Sequence, residues 1–294
     1  MSHRRRFRTA LLSLTAAAAV LTGCSAAPDA PAGGSPAPTR PSPSPTPLWD
    51  RSPSSVAAVG DSITRGFDAC GVLSDCPEVS WSTGTDPAVD SLAVRLLGAS
   101  KTAGNSWNLA RSGSRMAELP GQMERAAAER PGLVTVMTGA NDACRDTAAQ
   151  MTPVADFRAS FERALRTLRA ASPKSQVYVA SVPDLKRLWS TGRTSAMAKQ
   201  VWGLGICRSM LADPDDLTRA GGERRDRVRA RVAAYNAVLR DVCAKDERCR
   251  YDGGDVFAYR FTGQQLSPWD WFHPSRDGQA RLAEIAYRRV TAAS

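Results

Sequence analysis

Beyond about residue 54 the chain alternates short apolar runs with longer amphipathic stretches. Residues 55–59, Ser-Val-Ala-Ala-Val, form an apolar run that stops at Gly60-Asp61, the pattern of a strand feeding a turn. Residues 133–137, Leu-Val-Thr-Val-Met, predict a buried strand, and 106–110 and 176–182 two more. Between them lie helical periodicities. Residues 86–97 place Val89, Leu92, Ala93, Leu96 and Leu97 on one face. Residues 116–130 are helical in composition, with Pro120-Gly121 interrupting the first turn. Residues 154–171 repeat Phe157, Phe161, Leu165 and Leu168. Residues 225–244 repeat Val228, Val232, Tyr235, Leu239 and Val242, and 276–291 predict a last helix. Strands alternating with long helices predict an α/β fold with a parallel central sheet. In such sheets, sites form beyond the carboxyl ends of the strands.

The first 54 residues follow other rules. Arg4, Arg5, Arg6 and Arg8 precede an apolar stretch over 11–21, too short to span a bilayer comfortably. Leu21-Thr22-Gly23-Cys24 then resembles a bacterial lipobox, in which cleavage before Cys24 leaves a thiol that carries lipid. The alternative is an ordinary secretory signal cut within Ser25-Ala26-Ala27. Arg4-Arg5-Arg6-Phe7 also partly resembles a twin-arginine signal. Residues 25–54 are rich in Ala, Pro, Ser, Thr and Gly, a composition expected of an extended tether, the alternative being a glycosylated or purely passive spacer. The expected organisation is a signal peptide over 1–23, a lipidated cysteine and tether over 24–54, and one domain over 55–294.

Composition narrows the chemistry. At 43% hydrophobic and 23% charged, the chain can build a core, and no later stretch offers the roughly 20 apolar residues of a membrane span. Its only histidines are His3 and His273. Once the leader is removed, one imidazole remains, which excludes a His-rich metal site and leaves one candidate for a histidine base. The formal charge of +10 includes four arginines of the leader, so the mature chain is near +6. Basic residues interleave with acids along the helices, as on a solvated surface, and no nucleic-acid motif accompanies them. Six cysteines remain beside Cys24: Cys70, Cys76, Cys144, Cys207, Cys243 and Cys249. An even number in an exported chain predicts three disulfides among fifteen possible pairings. Spacing favours Cys70–Cys76 and Cys243–Cys249 as local loops, leaving Cys144–Cys207 as the long bridge.

Four polar blocks fall in loops at one edge of the predicted sheet. Gly60-Asp61-Ser62-Ile63 follows the first strand, where a turn would expose a serine. Asn108-Leu109-Ala110-Arg111-Ser112-Gly113 follows the second strand and Gly139-Ala140-Asn141-Asp142 the third. Asp270-Trp271-Phe272-His273-Pro274 precedes the last helix. A serine needs a base before it is a useful nucleophile, and His273 is the only imidazole available. Asp270, three residues earlier, can fix its tautomer, or can be a loop residue beside a Ser–His dyad. Asp61 reads as a turn or cap residue and Asp142 as a loop-bonding one.

With Ser62, Gly113, Asn141 and His273 in order, the chain resembles the SGNH (GDSL-type) hydrolases, Ile63 standing where the family has leucine. The Gly-Ala-Asn-Asp-x-Cys arrangement and the cysteine layout look most like extracellular actinobacterial members. The resemblance implies a three-layer, flavodoxin-like α/β/α sandwich and a Ser62–His273–Asp270 triad. It also implies an oxyanion hole from the N–H groups of Ser62 and Gly113 and the Asn141 amide, with Gly113 lacking a Cβ so that backbone can come close. No cofactor or metal is implied.

The implied activity is ester hydrolysis through an acyl-enzyme, first on lipid or fatty-acyl esters. A carbohydrate or cell-wall deacetylase would use the same machinery, and a ligand-binding surface lipoprotein without turnover is the rival from another class. The expected partners are an ester substrate and a membrane reached through lipid on Cys24, with no nucleic acid, and a monomer is the expected state. An insertion over about 184–223 carries Trp189, Met197, Trp202, Leu204, Ile206 and Leu211. It reads as a lid or acyl-pocket wall, or as a structural subdomain. Trp107, Trp269 and Trp271 flank the blocks and can line a pocket, stack on a sugar or fill the core.

Overall fold

The computed structural model describes residues 48–293, and the expected signal, Cys24 and most of the expected tether lie outside them. Five parallel strands form the centre: β1 (Val56–Gly60), β2 (Ser106–Asn108), β3 (Leu133–Met137), β4 (Gln176–Val179) and β5 (Cys249–Tyr251). Their order is β2-β1-β3-β4-β5, so the chain leaves β1 toward one edge and returns past it to build the other. Such a reversal opens a crevice at the carboxyl ends of the strands it separates.

Eleven α-helical segments connect the strands among the described residues: α1 (Leu92–Leu97), α2 (Ala99–Asn105), α3 (Leu119–Ala128), α4 (Ala140–Ala143), α5 (Val154–Ala171), α6 (Leu185–Gly192), α7 (Ala196–Trp202), α8 (Arg208–Leu211), α9 (Arg219–Cys243), α10 (Asp255–Ala258) and α11 (Arg276–Thr291). Strand residues alternate between two cores, as the two-residue period of a strand demands. Ala57, Val59, Val134, Val136, Val177 and Val179 pack with α3, α5 and α9. Leu133, Met137, Tyr178 and Ala180 pack on the other face with Leu92 of α1 and Leu282, Ile285 and Val290 of α11. The result is the α/β/α sandwich that the resemblance implies, built on the parallel sheet that the sequence pattern predicts. Trp49, inside the stretch expected as tether, is itself buried and donates its indole N–H to Val290 O at 2.8 Å.

Several element boundaries differ from expectation. The helix expected over 86–97 is helical only from Leu92, because Asp90 turns left-handed (φ 47°) and Ser91 caps the start. Pro120 does not interrupt a helix but sits in the first turn of α3, where its missing N–H has no intrahelical role. The strands expected over 106–110 and 176–182 end at Asn108 and Val179. The last helix before β5 starts at Arg219 rather than 225, behind a Thr218 cap. β5, a strand of only three residues, has no apolar run in the sequence to predict it.

The disulfides pair as spacing favoured: Cys70–Cys76, Cys144–Cys207 and Cys243–Cys249. Cys144–Cys207 joins positions 63 apart, tying the end of α4 to the start of α8. Cross-linking across so long a loop restricts the unfolded chain most. Replacing both cysteines by alanine is expected to cost about 2–4 kcal/mol in urea unfolding, more than removal of either local bridge. Equal costs for all three would contradict the loop-length argument.

Candidate active site

β1 ends at Gly60, whose φ of 145° and distance to Met137 O leave no room for a side chain: an added Cβ would lie 2.0 Å from that oxygen. The chain then turns sharply at Asp61-Ser62. Two buried glutamines hold this turn. Gln122 of α3 accepts the Gly60 N–H at 2.7 Å and returns its amide to Gly60 O at 2.9 Å. Gln279 of α11 donates to Ile63 O at 2.8 Å and accepts the Trp81 N–H at 2.9 Å. Neither glutamine carried a sequence signal, since each is one polar position on an amphipathic helix.

Ser62 lies beside the loop before α11. Its Oγ is 2.8 Å from His273 Nε2, and His273 Nδ1 is 2.5 Å from Asp270 Oδ2. Asp270 Oδ1 accepts the N–H groups of Phe272 and His273 at 2.8 and 2.9 Å, so this carboxylate shapes its own loop as well as orienting the ring. Asp270 O accepts the Trp202 indole N–H at 3.0 Å, which ties the insertion to the same loop. Burial alone would raise the Asp270 pKa, but the His273 bond and charge and the two N–H groups outweigh it and hold it below the usual carboxylate range. Burial pulls His273 down, while the Asp270 bond and the charges of Asp270, Asp61 and Asp68 reverse this and hold the imidazole above its ordinary value.

The second and third blocks close on the same place. The Asn141 amide donates one N–H to Ser114 O at 3.0 Å, and among the described residues its other N–H has no acceptor. Among the described residues, no protein acceptor takes the backbone N–H of Ser62 or Gly113. Gly113 needs to be glycine for its φ of 81°, not for close approach: a Cβ there would meet nothing within 4 Å. Asp142 Oδ2 accepts the Met116 N–H at 2.9 Å, the loop-bonding part read from the sequence, and burial raises its pKa. Asp61 Oδ1 accepts the Ile63 N–H at 3.0 Å, Oδ2 has no partner among the described residues, and burial pushes its pKa up to about 7. A hydroxyl, an oriented imidazole, a carboxylate and three uncommitted N–H donors at one strand edge can support nucleophilic attack on a carbonyl and hold the resulting oxyanion.

A cavity of about 30 Å³, mostly apolar but with Asp184 and Arg187 in its wall, lies near this edge. Its walls include Ile63, Ala140 and Phe272, the chain neighbours of Ser62, Asn141 and His273, with Leu185 and Leu188 of α6 and Tyr259, Phe261 and Leu266. The insertion therefore supplies part of its wall, and it is also rooted in the core through buried Trp189, Trp202, Met210 and Leu211. Arg225, 1% exposed, stacks 4.1 Å above the Trp189 ring and donates to Asp216 O and Asp213 O at 2.7 and 2.8 Å. Of the three flanking tryptophans, Trp107 and Trp271 pack partly buried against the core and Trp269 is exposed.

The GDSL-like Lipase/Acylhydrolase family model matches residues 58–281, and the chain belongs to that family. No curated protein matches the chain. Among solved structures, a family two carbohydrate esterase from Clostridium thermocellum in complex with cellohexaose is similar at 15% identity and a TM-score of 0.47, over 84% of this chain and 65% of that one. This chain thus matches slightly less than two thirds of that esterase's length. A family two carbohydrate esterase from Cellvibrio japonicus is similar at 14% identity and a TM-score of 0.46, over 81% of this chain and 62% of that one. A family 3 carbohydrate esterase from Clostridium thermocellum is similar at 15% identity and a TM-score of 0.46, over 80% of this chain and 94% of that one.

Proposed function

We propose that this family member is an exported ester hydrolase that works through an acyl-enzyme on Ser62. The observation that carries the reading is the continuous line Ser62 Oγ, His273 Nε2, His273 Nδ1, Asp270 Oδ2, with separations of 2.8 and 2.5 Å. With its Nδ1–H given to Asp270, His273 presents the Nε2 lone pair to the serine hydroxyl. His273 takes the proton as Oγ attacks the ester carbonyl, then returns it to the departing alcohol. Water, deprotonated by the same nitrogen, attacks the acyl-serine and releases the acid. The N–H groups of Ser62, Gly113 and Asn141 are the donors for the tetrahedral oxyanion, each worth about 10²–10³ in rate when lost.

Export is supported by the three disulfides, which persist in oxidising compartments. The boundaries at 23 and 54 and lipid on Cys24 belong to the same proposal and rest on the sequence pattern.

The cavity walled by Ile63, Ala140 and Phe272, each next in the chain to a site residue, is the proposed acyl subsite. A site of about 30 Å³ holds the equivalent of about two waters, room for an acyl tail of a few carbons. Short acyl esters, acetyl groups on a carbohydrate or cell-wall polymer among them, are therefore the first reading. Fatty-acyl esters are the second, favoured by the exposed apolar side chains of Met197, Leu204 and Leu217 on the insertion. A p-nitrophenyl ester series from acetate to palmitate tests both. Under the first reading kcat/KM falls as the chain lengthens, by tenfold or more from acetate to palmitate, whereas a maximum at long chains selects the second. A fluorophosphonate that leaves Ser62 unlabelled would favour a binding protein over either.

A further inference from the structure

Asp68 opens the loop closed by Cys70–Cys76, in a left-handed backbone conformation (φ 57°) that Asp tolerates better than most residues. Its N–H donates to Ser74 O at 2.9 Å and its Oδ1 accepts the Leu73 N–H at 2.5 Å. Its carbonyl accepts the Ser267 hydroxyl at 2.7 Å, which joins this loop to the segment carrying Asp270 and His273. The residue is 1% exposed. A carboxylate oxygen of Asp68, one of Asp270 and a ring nitrogen of His273 all lie within 4.8 Å of one another. The Ser62–His273–Asp270 line has no need of this second carboxylate, and no lysine or arginine pairs with it among the described residues.

We propose that Asp68 and Asp270 form a proton-sharing carboxyl pair, in which Asp68 is a positioning residue that sets the pH at which His273 becomes a base. The proposal deepens the triad reading and rests on it. Two buried carboxylates this close resist joint ionisation, and the shared proton goes to the one with fewer cationic and N–H partners. That one is Asp68: burial first, then the Asp270 charge, push it up to about 6. While protonated, its O–H donates to Asp270. Once ionised, it adds a second negative charge beside the imidazole.

The other charges around His273 are Asp270 and Asp61, the latter also facing Asp142. In the loop of Asp68 itself, Arg65 and Asp75 pair with each other at 3.1 Å. The sign follows. An ionised Asp68 stabilises the imidazolium, so it raises the His273 pKa, and its removal lowers it.

Asp68→Asn isolates this effect. Asparagine keeps the acceptor for the Leu73 N–H, keeps a donor toward Asp270 and accepts the left-handed backbone. In the full chain carrying His3→Gln, His273 is the only imidazole, and its ring resonances report its titration by NMR without turnover. Asp68→Asn is expected to move that titration to lower pH by about half a unit or more, the size of one charge removed at 4–5 Å. The acid limb of kcat/KM on p-nitrophenyl acetate is expected to move the same way. The unsubstituted protein is also expected to show a second inflection in the His273 shifts near pH 6. A His273 titration unmoved or raised in the variant, or a single inflection in the unsubstituted protein, overturns the proposal. A merely structural Asp68 would lower the Tm and leave the titration in place. Failure of the serine mechanism reads out separately, as a Ser62→Ala protein that still hydrolyses the ester.

Discussion

Ser62→Ala is expected to reduce kcat/KM on p-nitrophenyl acetate by about 10⁴-fold or more while leaving the fold intact, because nucleophile and base act as one unit. Removal of Oγ leaves His273 with nothing to deprotonate and no atom to carry the acyl group. The residual rate comes from the donors around the oxyanion, which still stabilise attack by water. Stability should change little, since the only side-chain bond given up is the one to His273 Nε2. Steady-state hydrolysis alongside intact-mass detection of a fluorophosphonate adduct reads both halves. A variant that keeps its rate, or that still takes one adduct at an active-site serine, rules out Ser62 as the nucleophile.

Asp270→Asn is the second large effect, expected at about 10⁴-fold in kcat, by the tautomer argument for triads. The substituted side chain would keep an oxygen for the Phe272 and His273 N–H groups that Asp270 Oδ1 now accepts, so the loop should hold its shape. Its amide would face Nδ1 with a donor in place of the acceptor at Oδ2. The imidazole would then carry its proton on Nε2 and face Ser62 with a donor, unable to take the serine proton. Circular dichroism and Tm separate this from unfolding. Loss of less than tenfold would mean that the pair Ser62–His273 works as a dyad, the alternative that the spacing in the sequence left open.

Ser62, Asp270 and His273 stand out in the sequence alone. The buried strands at 133–137 and near 56–60, and the helix at 154–171, were legible because their apolar runs are periodic and local. β5 was not: three half-buried residues carry no period, and the strand exists because β4 has an edge to pair with. The helix predicted from 86 failed on Asp90, whose left-handed turn is set by the loop around it. The insertion was visible as an interruption, but its double part, core anchor and cavity wall, depends on Trp189 and Trp202 reaching back into the sheet's core. Gln122, Gln279 and Asp68 were missed for one reason. Each acts across a long chain separation on a turn or side chain that local sequence cannot place beside it.

By itself, the sequence determined which chemical groups this protein has: one serine after a strand, one imidazole beyond residue 54, a carboxylate three residues before it, and an even set of cysteines beyond that point. It determined the alternation that puts their loops at one edge, because strand and helix periods are local properties of the chain. Only the tertiary structure decided which donors stay uncommitted, how large a cavity Ile63, Ala140 and Phe272 help to wall, and that a second carboxylate lies buried beside the first. Those depend on distances between segments up to 216 positions apart, joined here by hydrogen bonds such as Gln279 to Ile63 O. Burial, which pushes the pKa of Asp61 and Asp68 up, and the carboxylates that hold that of His273 up against burial act only once those segments have met.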